Sequence, residues 1–214
     1  MSDQAASGVL YPPITPYKTD YMKVDGHEIY YELSGNPDGP TALFLHGGPG
    51  GGTSARDRCF FNPEHYRIVL MDQRGSGKSN PNASRDYEGA LFHNSTQYLI
   101  EDIELLREEL SLDHWQLILG GSWGSTLAIS YAEQYPNQCK QLLLRGVFTA
   151  LPDEIDALFQ NGTTANHYPE EWEKYITYIE KTSSNWTLEK QNLLAAYQKR
   201  LFDPSQREAA AKAF

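Results

Sequence analysis

Three short segments carry the residue types able to do chemistry. Gly120-Gly121-Ser122-Trp123-Gly124 fits the pattern G-x-S-x-G, with an apolar run before it and a helical pattern after it. That is the context required by a strained strand-to-helix turn that presents a serine nucleophile. On such a turn the Ser122 hydroxyl stands exposed at the carboxyl edge of a sheet. The Trp123 amide then points to where an oxyanion forms, at a helix N-terminus. His46-Gly47-Gly48-Pro49-Gly50 follows directly on the run Thr41–Leu45. In serine hydrolases built on this turn, the loop after that strand donates the second oxyanion N–H, and glycines let a carbonyl oxygen reach the backbone. The third segment, Asp72-Gln73-Arg74-Gly75-Ser76-Gly77-Lys78-Ser79, ends like a phosphate-binding loop. It lacks the required glycine five residues before Gly77, where Asp72 stands, and Pro81 follows too soon for a helix. Nucleotide binding is set aside.

The elements that must position these segments are legible as alternating patterns. Tyr21–Val24 and His27–Leu33 flank Asp25-Gly26, a hairpin signal. Thr41–Leu45, Tyr66–Met71, Trp115–Leu119 and Leu142-Leu143-Leu144 with Val147 are continuous apolar runs, as in strands covered on both faces. Between them, Asn94 with Gln97 resembles a capping box, and Leu99, Ile103, Leu106 and Leu110 share a helical face, with Asp102 among the polar residues largely on the other faces. Trp123–Tyr135 reads as a second helix, stopped by Pro136. Strands alternating with helices give an α/β fold with a mostly parallel sheet, mixed at the edge where the hairpin lies. From Leu151 onward only helical patterns occur: Asp153–Phe159, Pro169–Lys181, Leu188–Phe202 and a last one capped by Asp203 with Pro204 in its first turn. The expected organisation is a core over residues 1–150 and a helical segment over 151–214.

Composition limits what this architecture serves. Lys and Arg number 18 against 28 Asp and Glu, a net charge of −10, which argues against nonspecific nucleic-acid binding. Cys59 and Cys139 are too few for a disulfide scaffold and have no metal-ligand spacing, so they read as reduced thiols of a cytoplasmic protein. No apolar stretch is long enough to span a bilayer, and the polar start at Met1-Ser2-Asp3-Gln4-Ala5 has no secretory pattern. Residues 1–20 read as an irregular lead-in marked by Pro12, Pro13 and Pro16.

Taken together, His46-Gly-Gly-Pro-Gly, Asp72-Gln-Arg-Gly-x-Gly-x-Ser and Gly120-Gly-Ser-Trp-Gly-Ser, in that order, resemble the proline iminopeptidases (prolyl aminopeptidases) of the α/β-hydrolase fold. The likeness continues through Leu144-Arg145-Gly146-Val147-Phe148 and Pro169-Glu-Glu-Trp172 and covers about residues 12–214. The resemblance implies release of N-terminal proline from peptides, with no metal and no organic cofactor. Carried over by position, Ser122 is the nucleophile, the Gly48 and Trp123 amides form the oxyanion hole, and Phe148 lines the pocket for the proline ring. Gln97 and Leu158 depart from the family pattern at places where an aromatic residue is usual, and Ala83–Phe92 looks longer. These departures bear on the pocket and leave the chemistry alone.

The nucleophile needs a base and an orienting acid, which in this fold follow the serine as Asp or Glu, then His. The one histidine after Ser122 is His167, which precedes a helix and reads as a loop residue; Asp153, Asp156 and Asp203 read as helix-start carboxylates. The resemblance thus implies a C-terminally truncated relative with an incomplete helical cap and no last core strands. Two readings follow: the N-terminal part of a prolyl aminopeptidase that does not turn over alone, or a non-catalytic α/β-hydrolase-like binding protein. Within catalysis, a related serine esterase or amidase is the alternative, and Ser122 disfavours the fold's Asp-nucleophile enzymes.

Overall fold

Asp25 and Gly26 both take positive φ (49° and 80°), the two-residue turn that matches the twist of paired strands. Lys18–Val24 (β1) and His27–Gly35 (β2) therefore pair antiparallel across it. The computed structural model describes residues 10–160 and 162–214. The start of the expected lead-in, with its polar Met1–Ala5, lies outside the described residues, and β1 begins inside the remainder.

Thr41–Leu45 (β3), Arg67–Met71 (β4), Leu117–Gly121 (β5) and Leu142–Arg145 (β6) complete a six-stranded sheet in the order β1-β2-β4-β3-β5-β6. β4 meets β2 antiparallel, while β3 pairs parallel with both β4 and β5, and β6 pairs parallel with β5. The continuous apolar runs follow from burial on both faces. Leu43, Leu45, Val69, Met71 and Ile118 pack on one side with Ile103 and Leu106 of Thr96–Glu109 (α2) and Leu127 and Tyr131 of Trp123–Gln134 (α3). Ala42, Phe44, Ile68, Leu70 and Leu119 pack on the other with Phe61. Each large side chain so buried contributes about 1.5–3 kcal/mol. A short helix, Tyr87–Leu91 (α1), precedes α2.

Three expectations are corrected here. The capping box at Asn94 does not form: Ser95 is the N-cap of α2 and Gln97 pairs with Glu101 one turn on. Asn94 instead donates to the Arg74 and Ala90 carbonyls, because it packs against Gly75. Asp102 is not on a solvated face. It is fully buried, and its carboxylate receives a fork from Arg74 Nε and Nη2 at 2.7 and 2.6 Å. Charge alone does not reveal this burial, because the guanidinium that neutralises the carboxylate stands 28 positions earlier in the chain. The β6 run is not covered on both faces: Leu142 is 38% and Leu143 48% exposed, because β6 pairs only with β5 among the described strands.

The chain divides into two compact units between Thr149 and Ala150. The second holds Pro152–Phe159 (α4), Thr163–His167 (α5), Pro169–Thr182 (α6), Trp186–Glu189 (α7), Leu193–Phe202 (α8) and Arg207–Ala213 (α9) around Tyr175, Ile179, Leu193 and Tyr197. The expected helix 188–202 is broken. Asn192 caps α8 by accepting from the Ala195 amide, and the Gln160 side chain bonds the Lys190 carbonyl and the Leu193 amide across the break. The last helix also starts later than Asp203 suggests; that side chain closes a turn on Ser205 and Gln206 first.

Candidate active site

β5 runs into α3 through one residue, Ser122, at φ 53° and ψ −122°. A non-glycine residue held there stores about 1–3 kcal/mol of strain, so the surroundings must over-determine it. They do so from both sides. The Ser122 amide donates to the Arg145 carbonyl at 2.9 Å, and the Ser125 amide and hydroxyl both donate to the Ser122 carbonyl, at 2.8 and 2.6 Å. Ser125 Oγ also accepts from the Phe148 amide at 2.9 Å, while Thr126 Oγ1 donates to the Phe148 carbonyl at 2.6 Å. The backbone beyond β6 is thereby tied to the first turn of α3.

The glycines explain how close the pieces come. A Cβ on Gly120 would collide with the Gly124 carbonyl, and one on Gly124 with the Leu45 carbonyl of β3. The loop after β3 lies directly against the turn, since a Cβ on Gly47 would sit 3.0 Å from the Gly121 carbonyl and 3.3 Å from Ser122 Cβ. Gly48 follows at φ 127° with no room for a side chain. Gly47 and exposed Ser122 line one cavity of about 620 Å³ with Phe44, Phe60, Leu143 and Arg145. Phe148 is beside the turn through its backbone and is not among the residues lining that cavity.

His46, at the head of the loop, is buried, and burial pushes its imidazole below the ordinary histidine value. Its Nε2 accepts from the Gln73 amide at 3.0 Å, while Nδ1 lies 2.9 Å from the Gly47 carbonyl and 3.2 Å from the Gly52 amide. His27 Nε2 donates to the Phe92 carbonyl, His93 stacks between Phe92 and Tyr98, and His167 ends α5. Among the described residues, no hydrogen bond joins an imidazole to the Ser122 hydroxyl.

The Asp72–Ser79 segment folds around its own carboxylate. Asp72 accepts from the Thr53 and Lys78 amides at 2.6 and 2.8 Å, and Ser79 Oγ donates to the Asp72 carbonyl. The amide that a phosphate-binding loop would offer to a ligand is here taken by an internal anion. Sequence reasoning missed two contributors to the site. Gln73, buried beside His46, accepts from the Trp123 indole, and Ser125 clasps the turn. Gln73 lies within the glycine-rich Asp72–Ser79 segment and Ser125 directly after Gly124, and no pattern in the sequence marks either contact.

The chain is 47% identical over 193 residues to a proline iminopeptidase of Arabidopsis thaliana, covering 90% of this chain and 47% of that protein. It is 43% identical over 208 residues to a probable proline iminopeptidase of Leptolyngbya boryana, covering 96% and 60%. The chain thus spans about half to three-fifths of the length of these relatives. Its fold matches that of a proline iminopeptidase-related protein from Thermus thermophilus with a TM-score of 0.50 at 23% identity, over 92% of this chain and 65% of that one. The family model for the alpha/beta hydrolase fold matches residues 40–212, and the chain belongs to that family.

Proposed function

We propose that this chain carries the nucleophile and oxyanion machinery of a serine aminopeptidase that releases N-terminal proline from peptides. The observation that carries the reading is Ser122 at positive φ between β5 and α3, with the glycine loop after β3 packed against it. In this reading Ser122 Oγ attacks the prolyl carbonyl carbon, its proton passes to a base, and the C–O bond forms as the carbonyl becomes an oxyanion. The amides of Gly48 and Trp123 receive that oxyanion, and its collapse expels the peptide amine, which takes the proton back from the base. Water then attacks the remaining prolyl ester in the same way, freeing proline and returning the proton to Ser122. The place of Phe148 beside the proline ring rests on the family resemblance, with its backbone tied to the serine turn, and residues 151–214 serve as part of a cap. The two free thiols fit a cytoplasmic protein; among the described residues no helix is long and apolar enough to cross a membrane.

The second reading, a non-catalytic binding protein on the same scaffold, is favoured by one observation. No imidazole bonds the Ser122 hydroxyl among the described residues. Exogenous imidazole separates the two. With an activated prolyl ester, whose leaving group needs no acid, the wild type and Ser122→Ala hydrolyse alike in imidazole-free buffer. Added imidazole then supplies the base and makes the wild type faster, with prolyl preferred over alanyl ester. A wild type that stays level with Ser122→Ala at every imidazole concentration supports the binding protein instead.

A further inference from the structure

Two of the segments that surround the turn are joined by a single buried side chain. Gln73 is 2% exposed and reaches both the loop after β3 and the start of α3. Its Nε2 donates to the His46 carbonyl at 2.9 Å and its Oε1 accepts from Trp123 Nε1 at 3.0 Å, while its main-chain amide donates to His46 Nε2. The orientation of the amide is fixed by its partners, because an indole N–H can only donate and a carbonyl can only accept. His46 Nε2 serves as an acceptor in this arrangement, and Nδ1 on the far side of the ring lies between the Gly47 carbonyl and the Gly52 amide. Ser76 Oγ, at 3.1 Å from Nε2 and donating to the Gln73 carbonyl, closes the cluster; Asp72 and Asp57 are the charged groups whose fields reach the ring.

We propose that Gln73 is a positioning residue that sets the separation of the two backbone segments supplying the oxyanion amides, by gripping His46 with one end of its carboxamide and Trp123 with the other. This rests on the proposed nucleophilic role of Ser122. The His46 carbonyl lies two residues before Gly48, and the Trp123 indole belongs to the residue whose own amide is the second donor. A change in the length or polarity of this bridge moves one amide relative to the other without touching substrate. A displacement of about 1 Å at such a site lowers rates by about 100-fold.

The test measures prolyl acylation of Ser122 by an activated prolyl ester in imidazole buffer, as a maximal rate and a half-saturating concentration. Gln73→Met keeps the chain length and removes both grips. Its maximal rate is expected to fall about 10- to 100-fold with little change in half-saturation. Gln73→Glu keeps an acceptor for Trp123 but turns a carboxylate on the His46 carbonyl, so it is equally slow at neutral pH. It recovers toward the wild-type rate as acid protonates it and restores the donor. Trp123→Phe removes one grip alone and serves if Gln73→Met does not fold. Acylation of Gln73→Met, or of Trp123→Phe in its place, at the wild-type rate overturns the proposal. If the wild type itself is not acylated, the nucleophile reading fails instead. The bridge is then judged by exchange of the Trp123 indole proton, slow in the wild type and fast in Gln73→Met; equal exchange overturns it.

Discussion

Alanine at Gly124 would drive a methyl group into the Leu45 carbonyl and to 3.0 Å from the His46 carbonyl. Both are backbone atoms at the end of β3, a strand hydrogen-bonded on either side, so neither swings aside as a side chain would. The helix α3 must lift from the sheet by several tenths of an ångström. Two terms oppose each other: exchanging a helical glycine for alanine gains at most about 1 kcal/mol, whereas overpacking against rigid neighbours costs about 1–3 kcal/mol. A net loss of about 1–2 kcal/mol is expected for Gly124→Ala. A methyl on Gly120 meets the Gly124 carbonyl and lies 2.9 Å from the Ser125 amide, so a loss of about 1–3 kcal/mol is expected there too. Gly121, between them, has only the Arg145 carbonyl within 4 Å, at 3.8 Å, and Gly121→Ala should stay within about 0.5 kcal/mol of wild type. The assay is urea denaturation read by hydrogen exchange in peptides covering β3 and β5, which reports on the first unit alone. A neutral Gly124→Ala, or a Gly121→Ala as harmful as its neighbours, would refute the claim that close backbone approach fixes this motif.

Asp102→Ala removes the fork from the Arg74 guanidinium, 1% exposed, leaving it Asp25 at 3.5 Å and the His93 carbonyl at 2.8 Å, and is expected to cost about 3 kcal/mol, the low end for a broken buried pair. Asp102→Leu combined with Arg74→Met should recover most of it in the same exchange assay, and a double variant as unstable as the single one would contradict this. Ser122→Gly relieves the positive φ and should raise stability by about 1 kcal/mol even though the nucleophile is gone; a loss of stability would show that the turn is unstrained. His46 is held neutral with its folded pKa below that of the unfolded chain, so the unfolded state takes up the proton first as pH falls. Its share of stability is full above about pH 6.5 and is lost as pH drops from there toward the folded value. Nitrogen-15 shifts of the imidazole check this: the ring should stay neutral where an exposed histidine is already protonated, and titration at the ordinary value of about 6.5 would refute it.

The sheet was readable because burial on both faces leaves little freedom: Thr41–Leu45 and Tyr66–Met71 can be little else, and Asp25-Gly26 suits a two-residue turn. The serine turn was readable for a related reason, since Gly120 and Gly124 are demanded by carbonyls that touch them. What escaped were polar residues whose partners lie far along the chain. Asp102 looked solvated because its fork comes from Arg74, 28 positions earlier. Gln73 looked like filler in a glycine-rich segment because its two partners lie on β3's loop and on α3, 27 and 50 positions away. Leu142 and Leu143 were misjudged for the opposite reason: apolarity announces burial, and only the pairing order shows that β6 has one neighbour here.

The most direct measurement is mass spectrometry of the Ser122 peptide after the chain meets an activated prolyl ester in imidazole. A prolyl adduct is expected on Ser122, absent from Ser122→Ala and weaker when an alanyl ester is used. An unmodified Ser122, or an adduct that persists in Ser122→Ala, would contradict it.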